Sequence, residues 1–489
     1  MVMHMVTIRI LSHADYSGQI RRNENASGLS YFKKAIDNIR NQDPEHTLLL
    51  DAGDNFKHVL WDHFVRKEVL LLGTDVFELG NHEFDNGERE LEKRIAEISD
   101  QVEVVCSNIV KKKDDSFIKG VKPYTILKKG DFTYGILGLC TEYTPYMVTS
   151  SMIEPFRVLN SVECARKYIP QMRAEGAEII IVLTHFPFYE DETGELFDVF
   201  NEIRDLKPDV MIGGHIPGDF AKVIDGCIIT KAGFGGKSLG IATIEYDEME
   251  KKIISKKAEV LDVFHDQTEE DAETRDIVEE TLEPYNYYFD EVLADVTEDI
   301  PMRLDFESEM GNLIADAVRE YFHTDFAYFN CTSCGKRIPM GPLTRETISE
   351  SMGFNDELYL SVYRGEDLYD LFEHVHVPER FGNNGNIFFS GICVKMDHTK
   401  PAGEKVVYIT DPEGYKIQRN AVITVVTSEY MSSGGNDTGE IAKRVHWQNT
   451  HVRIHDVLAE YFRKIQKVER KPLGRYVFIG TPENDNSPW

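Results

Sequence analysis

The sequence predicts an α/β protein of two domains. Three observations carry that reading. Strand-like apolar runs alternate with amphipathic helical spacing from residue 5 to about residue 265. The chain has 489 residues, more than one ordinary core holds. Short loops rich in Gly, Asp, Asn and His follow several of the strand-like runs, which is where α/β sheets gather their site residues.

Taken in order, Thr7 to Leu11 and Thr47 to Leu50 read as strands, with Leu29 to Arg40 as a helix between them. Asp75 to Leu79, Phe132 to Leu139, Glu178 to Leu183, Val210 to Ile212 and Ile228 to Lys231 read as further strands. An acidic stretch beginning Asp266-Gln267-Thr268-Glu269-Glu270-Asp271 runs into helical spacing through Leu293, with no Pro/Gly-rich tether. It predicts a helical connector over 266–300 between a first domain at 1–265 and a second at 301–489. The second domain is expected to open with a helix from Gly311 to Tyr321 and to contain strands such as Ala421 to Thr427; Glu483 to Trp489 reads as a polar tail.

Composition narrows the partners. Hydrophobic residues make up 42% and aromatics 11%, which supports packed domains rather than disorder. A formal net charge of -30 opposes binding to nucleic-acid polymers and to anionic membrane surfaces, yet leaves room for a small anionic ligand in a cleft made locally positive by a cation. No apolar run reaches membrane-spanning length, Met1 to Arg9 lacks the pattern of a secretory signal, and seven scattered cysteines fit a reducing compartment. A cytoplasmic location is the expectation.

The loops after the strands carry the chemistry. They are Leu50-Asp51-Ala52-Gly53-Asp54, Gly80-Asn81-His82-Glu83-Phe84-Asp85-Asn86-Gly87, Leu183-Thr184-His185 and Ile212-Gly213-Gly214-His215. Asp54, Asn81, His185 and His215 offer a mixed oxygen and nitrogen donor set suited to a divalent cation such as zinc, manganese or magnesium. His82, beside Asn81, is placed to protonate a leaving oxygen, with Asp85 orienting its ring.

These motifs resemble the calcineurin-like metallophosphoesterases of the 5′-nucleotidase type. In the second half the resemblance rests on Glu307 to Ala317, on Ile338-Pro339-Met340-Gly341-Pro342-Leu343-Thr344 and on Ser390-Gly391-Ile392. It implies two facing sheets flanked by helices, a second α+β domain that holds the nucleoside, and a dinuclear site that hydrolyses the phosphate ester of a nucleotide.

Carried over residue by residue, the second metal keeps Asp54, Asn81, His185 and His215. The first keeps only Asp15 and the shared Asp54. The family's Asp-x-His reads Asp15-Tyr16-Ser17 here, and its Gly-His-x-His reads Gly214-His215-Ile216-Pro217. One firmly held ion, at the second-metal position, and a depleted first position are expected, with His13 or His58 as candidate stand-ins. His13 is a candidate because two residues along a strand share a face with Asp15.

On the substrate side the resemblance points to Asn330, to Phe388 or Phe389, and to Arg380. Gly335 and Cys393 fall where the family has arginines, and no aromatic follows Gly434-Gly435-Asn436-Asp437. Two other readings stand beside the hydrolase: a homologue that binds a nucleotide without turnover, and a redox protein working through Cys331 and Cys334.

Overall fold

The computed structural model describes residues 5–23, 26–56, 65–265, 269–304, 307–375, 386–401, 403–436 and 438–480. It divides into two compact units, Met1–Leu282 and Glu283–Trp489.

The first unit contains two six-stranded sheets. One runs Lys252–Asp262, Ser238–Asp247, Met5–His13, Thr47–Asp51, Val76–Glu78, Glu103–Val105; the other runs Phe220–Ile224, Cys227–Lys231, Val210–Ile212, Ile179–His185, Phe132–Cys140, Tyr124–Lys129. Alternate side chains from both meet in one core: Ile8, Ile10, Leu48 and Leu50 from the first, Ile179, Ile181 and Leu183 from the second. The sheets therefore face each other. Intervening residues such as Ile180 and Val182 turn to the outer face and pack with Tyr168, Leu196 and Phe200 of helices Ser161–Ala174 and Glu195–Ile203. Burial on both faces is why these strands read as unbroken apolar runs. A fully buried Leu or Ile contributes roughly 1.5–3 kcal/mol here.

Helix Leu29–Arg40 presents Leu29, Phe32, Ala35 and Ile36 inward at helical spacing, as its sequence predicts. Strands Met5–His13, Thr47–Asp51 and Val76–Glu78 run parallel, as do Ile179–His185, Val210–Ile212 and Cys227–Lys231. Each trio thus releases its following loops at one edge of its sheet.

The second unit is built on a five-stranded sheet ordered Ile387–Ser390, Phe326–Asn330, Val422–Ser428, Glu357–Arg364, Gln448–Arg453. Helices Glu309–Phe322 and Ile454–Ile465 share the core on one face, and helix Gly365–Val375 that on the other. The Ser308 side chain caps the first of these by accepting the Gly311 N–H, so the helix starts two residues before the expected Gly311. In the acidic stretch the described residues include helix Ala272–Phe289. Among the described residues no helix is long and apolar enough to cross a membrane.

Candidate active site

The loops that follow strands Thr47–Asp51 and Val76–Glu78 cross in contact. A Cβ on Gly53 would lie 2.4 Å from Gly80 N, and one on Gly80 would lie 2.2 Å from Asp54 Oδ1, so the crossing requires glycine on both sides. A single carboxylate locks it. Glu83 Oε1 accepts the N–H groups of Asn55 at 2.8 Å and Phe56 at 3.0 Å, while Oε2 accepts those of Asp54 at 2.9 Å and Gly80 at 2.6 Å. Burial, then the neighbouring Asp54 carboxylate, push Glu83 up to about 7. Sequence reasoning gave Glu83 no role. The available signal was an acid directly after His82 with no basic residue nearby to pair it.

Asp54 and His215 both sit in left-handed backbone, at φ 64 and φ 73, a conformation that costs a non-glycine residue of order 1–3 kcal/mol and clusters at functional sites. His185 ends its strand. Its Nδ1 lies 2.6 Å from the Ala52 carbonyl oxygen, so Nδ1–H donates there and Nε2 is turned toward Asp54. That Nε2 is fully buried and stands 3.0 Å from Asp54 Oδ2 and 3.9 Å from Asp15 Oδ1. Burial works against a charged His185, but the Asp54 and Asp15 carboxylates outweigh it and hold its pKa well above the usual imidazole value.

The site therefore calls for positive charge at this point. Asp54, His185 and His215 each bring one ligand atom within 4.8 Å of the others, and Asn81 Oδ1 lies 2.9 Å from His215 Nδ1. Carboxylate, amide and imidazoles, one of them fixed by a carbonyl, fit a divalent ion.

His82 stands beside this cluster. Its backbone N–H donates to Asp54 Oδ1 at 2.9 Å, its Nε2 lies 3.8 Å from Asp54 Oδ2, and its Nδ1 lies 2.7 Å from Asp85 Oδ2. The side chain keeps 12% exposure, and Nε2 has the cluster in reach. A proton held there can be passed to an oxygen bound at the cluster.

Two family models match the chain: "Calcineurin-like phosphoesterase" over residues 9–219 and "5′-nucleotidase, C-terminal domain" over residues 294–443. The chain belongs to the phosphoesterases that pair these two domains. It is 24% identical to an apyrase of Aedes aegypti over 91% of this chain and 85% of that protein. It is 25% identical to a 5′-nucleotidase of Homo sapiens over 92% of this chain and 85% of that one. Its fold is similar to that of a 5′-nucleotidase precursor from Thermus thermophilus, with a TM-score of 0.82 covering 98% of this chain and 100% of the other at 22% identity.

Asp15 lies beside the cluster. Asp15 is 3% exposed, its N–H donates to Gly53 O at 2.8 Å, and its Oδ2 accepts the His215 N–H at 2.9 Å. Ser17 Oγ donates to Asp54 O at 3.2 Å, and the Pro217 carbonyl accepts from Lys231 Nζ at 3.4 Å.

The His13 candidate for the first-metal position loses the strand argument that suggested it. Its strand ends at His13, and Asp15 takes φ 54, so strand alternation no longer relates the two. His13 is wedged against Tyr16 and Phe32 with Nε2 3.6 Å from Asp51 Oδ2, and burial lowers its pKa to about 3. His58 lies outside the described residues. Behind the crossing, Glu68 and Glu78 are fully buried, with no hydrogen bond to either carboxylate among the described residues, and burial drives both far above the ordinary glutamate value.

In the second unit Asn330 ends its strand and donates from Nδ2 to Thr332 Oγ1 at 2.9 Å. Phe388, read from the sequence as a substrate-side ring, is 3% exposed and packs over Gly311, where a Cβ would lie 2.2 Å from the ring. Its face is spent in the core. Arg380 lies outside the described residues. Cys331 and Cys334 are buried thiols, both pushed up to about 12 by burial, and Cys393 belongs to a different sheet. Such thiols are poor nucleophiles, which removes the main support for the redox reading.

Proposed function

We propose that this chain is a metal-dependent phosphoesterase that hydrolyses the phosphate ester of a nucleotide, with one divalent ion held by Asp54, Asn81, His185 and His215. The observation that carries the reading is the convergence of Asp54, His185 and His215, with the buried His185 Nε2 facing two carboxylates. Bound there, zinc, manganese or magnesium supplies Lewis acidity that polarises a phosphoryl oxygen and activates water.

The chain's own groups do the rest. The Ala52 carbonyl fixes the His185 tautomer, and Glu83 holds the Asp54 and Gly80 loops in register. Asp85 holds the His82 ring by Nδ1, leaving Nε2 to give its proton to the ester oxygen as that bond breaks, opposite the attacking water. The match to a 5′-nucleotidase C-terminal domain and the similarity to apyrase and 5′-nucleotidase support a nucleotide as the substrate.

Ser17 and Pro217 favour a second reading, binding without turnover. The His82–Asp85 pair weighs against it, because a binding site has no use for an oriented proton donor. Phosphate release should be measured with zinc, manganese and magnesium on nucleoside 5′-monophosphates and diphosphates beside simple alkyl phosphates. Release from nucleotides is expected. Release only from alkyl phosphates would overturn the substrate class, and none at all would overturn the hydrolase.

A further inference from the structure

Cys331 and Cys334 share one tight turn directly after strand Phe326–Asn330. Cys331 opens the 3₁₀ turn Cys331–Ser333, and the Cys334 N–H closes it by donating to Cys331 O at 3.2 Å. A turn closed between residues i and i+3 keeps their Cα atoms less than about 7 Å apart and, in 3₁₀ geometry, brings their side chains to the same side. A disulfide asks for Cα atoms about 4.4–6.8 Å apart. The backbone thus already offers the spacing of a bridge.

Both side chains enter the same apolar core, with Ile338, Met352 and Phe388. The chain on either side is pinned. The Cys331 N–H donates to Asn386 O at 3.0 Å, the Gly335 N–H to Ser351 O at 2.9 Å, and the Ser333 hydroxyl to Asn330 O at 2.8 Å, while Cys334 pairs with Met352 in an isolated bridge. Once folded, these thiols attack slowly, because burial pushes both up to about 12. The same burial leaves the reduced pair without the stabilised thiolate that makes a disulfide easy to reduce. A bridge closed during folding, before the thiols are covered, therefore persists.

We propose that Cys331 and Cys334 form a structural disulfide when the chain folds in the presence of a small-molecule disulfide such as oxidised glutathione, clamping the turn that follows Asn330. One cysteine thiolate attacks the small disulfide and releases one thiol; the other attacks the protein sulfur of the mixed disulfide and releases the second. Two electrons pass to the oxidant, and the two cysteine protons end on the two released thiols. The bridge is a clamp and not a redox catalyst, and the inference stands apart from the phosphoesterase reading.

The test refolds the full chain from denaturant with oxidised glutathione or with reduced glutathione, blocks remaining thiols with an alkylating reagent, and maps the peptides by mass spectrometry. Oxidising refolding should give one bridged peptide, Cys331 to Cys334, with the other five of the seven cysteines alkylated. The bridged protein should show a melting transition roughly 4 °C or more above that of the reduced protein.

Both cysteines recovered as alkylated thiols after oxidising refolding would overturn the proposal, as would either one bridged to Cys393 or to any other cysteine. A bridged form that melts no higher than the reduced form would show a strained link and overturn the clamp. Should the chain not refold, the same mapping on protein produced in an oxidising compartment decides: the Cys331–Cys334 bridge upholds the proposal and two alkylated thiols reject it.

Discussion

His82 and Asp54 are joined twice: the His82 N–H donates to Asp54 Oδ1 at 2.9 Å, and the ring Nε2 stands 3.8 Å from Asp54 Oδ2. The backbone bond orients the carboxylate proposed to hold the ion, and the ring serves proton transfer. The two roles are separable, because only the second needs the imidazole.

His82→Ala should therefore keep the Asp54 orientation and the bound ion while lowering kcat by roughly 10²–10⁴, the usual range for losing a general acid. Elemental analysis of the variant beside its turnover checks this. Loss of the ion in step with activity would move His82 into the coordination shell.

Glu83→Gln tests the lock on the loop crossing. The carboxylate accepts four backbone N–H groups, and a carboxamide has one acceptor oxygen and a nitrogen that faces donors. A loss of about 2 kcal/mol or more in stability is expected, with weaker manganese binding. A variant that melts and binds metal like wild type would show that the crossing holds without it.

His455 gives a pH dependence for the second unit. Burial lowers it from 6.5 to about 4, with Nε2 at 2.9 Å from the Met352 carbonyl. A depressed folded-state value means that the unfolded chain binds the proton more readily. The stability is full above the unfolded value of 6.5 and is lost as pH falls toward about 4. The full loss is about 3 kcal/mol. Melting of wild type and His455→Gln should be compared at about pH 7.5 and about pH 5.0, conditions chosen to straddle the upper part of that window. The wild type should drop further than the variant; equal drops would contradict the assignment.

Much of this fold was legible in the sequence, for physical reasons. Leu29 to Arg40 shows a clean 3.6-residue apolar stripe and forms the helix it predicts. Ile179 to Leu183 reads as a continuous apolar strand because both its faces are buried. Asp54, Asn81, His185 and His215 stood out because polar ligand types follow apolar runs, and the structure brings one ligand atom each of Asp54, His185 and His215 together.

Other features depend on backbone or packing that one-dimensional spacing does not carry. His13 and Asp15 part company where φ changes sign, and Phe388 is drawn into the core because Gly311 has no side chain. Glu68 and Glu78 are acids that nothing in their spacing marks as buried, yet both are fully buried.

The central claim is a hydrolase working with one ion at Asp54, Asn81, His185 and His215. The most direct test titrates zinc or manganese into chelator-stripped protein while phosphate release from a nucleoside 5′-monophosphate is followed, for wild type and Asp54→Asn. Wild-type activity is predicted to rise linearly and saturate at one equivalent, and Asp54→Asn to neither hold the ion nor release phosphate. Activity that saturates only at two equivalents, or metal binding unchanged by Asp54→Asn, would contradict the claim.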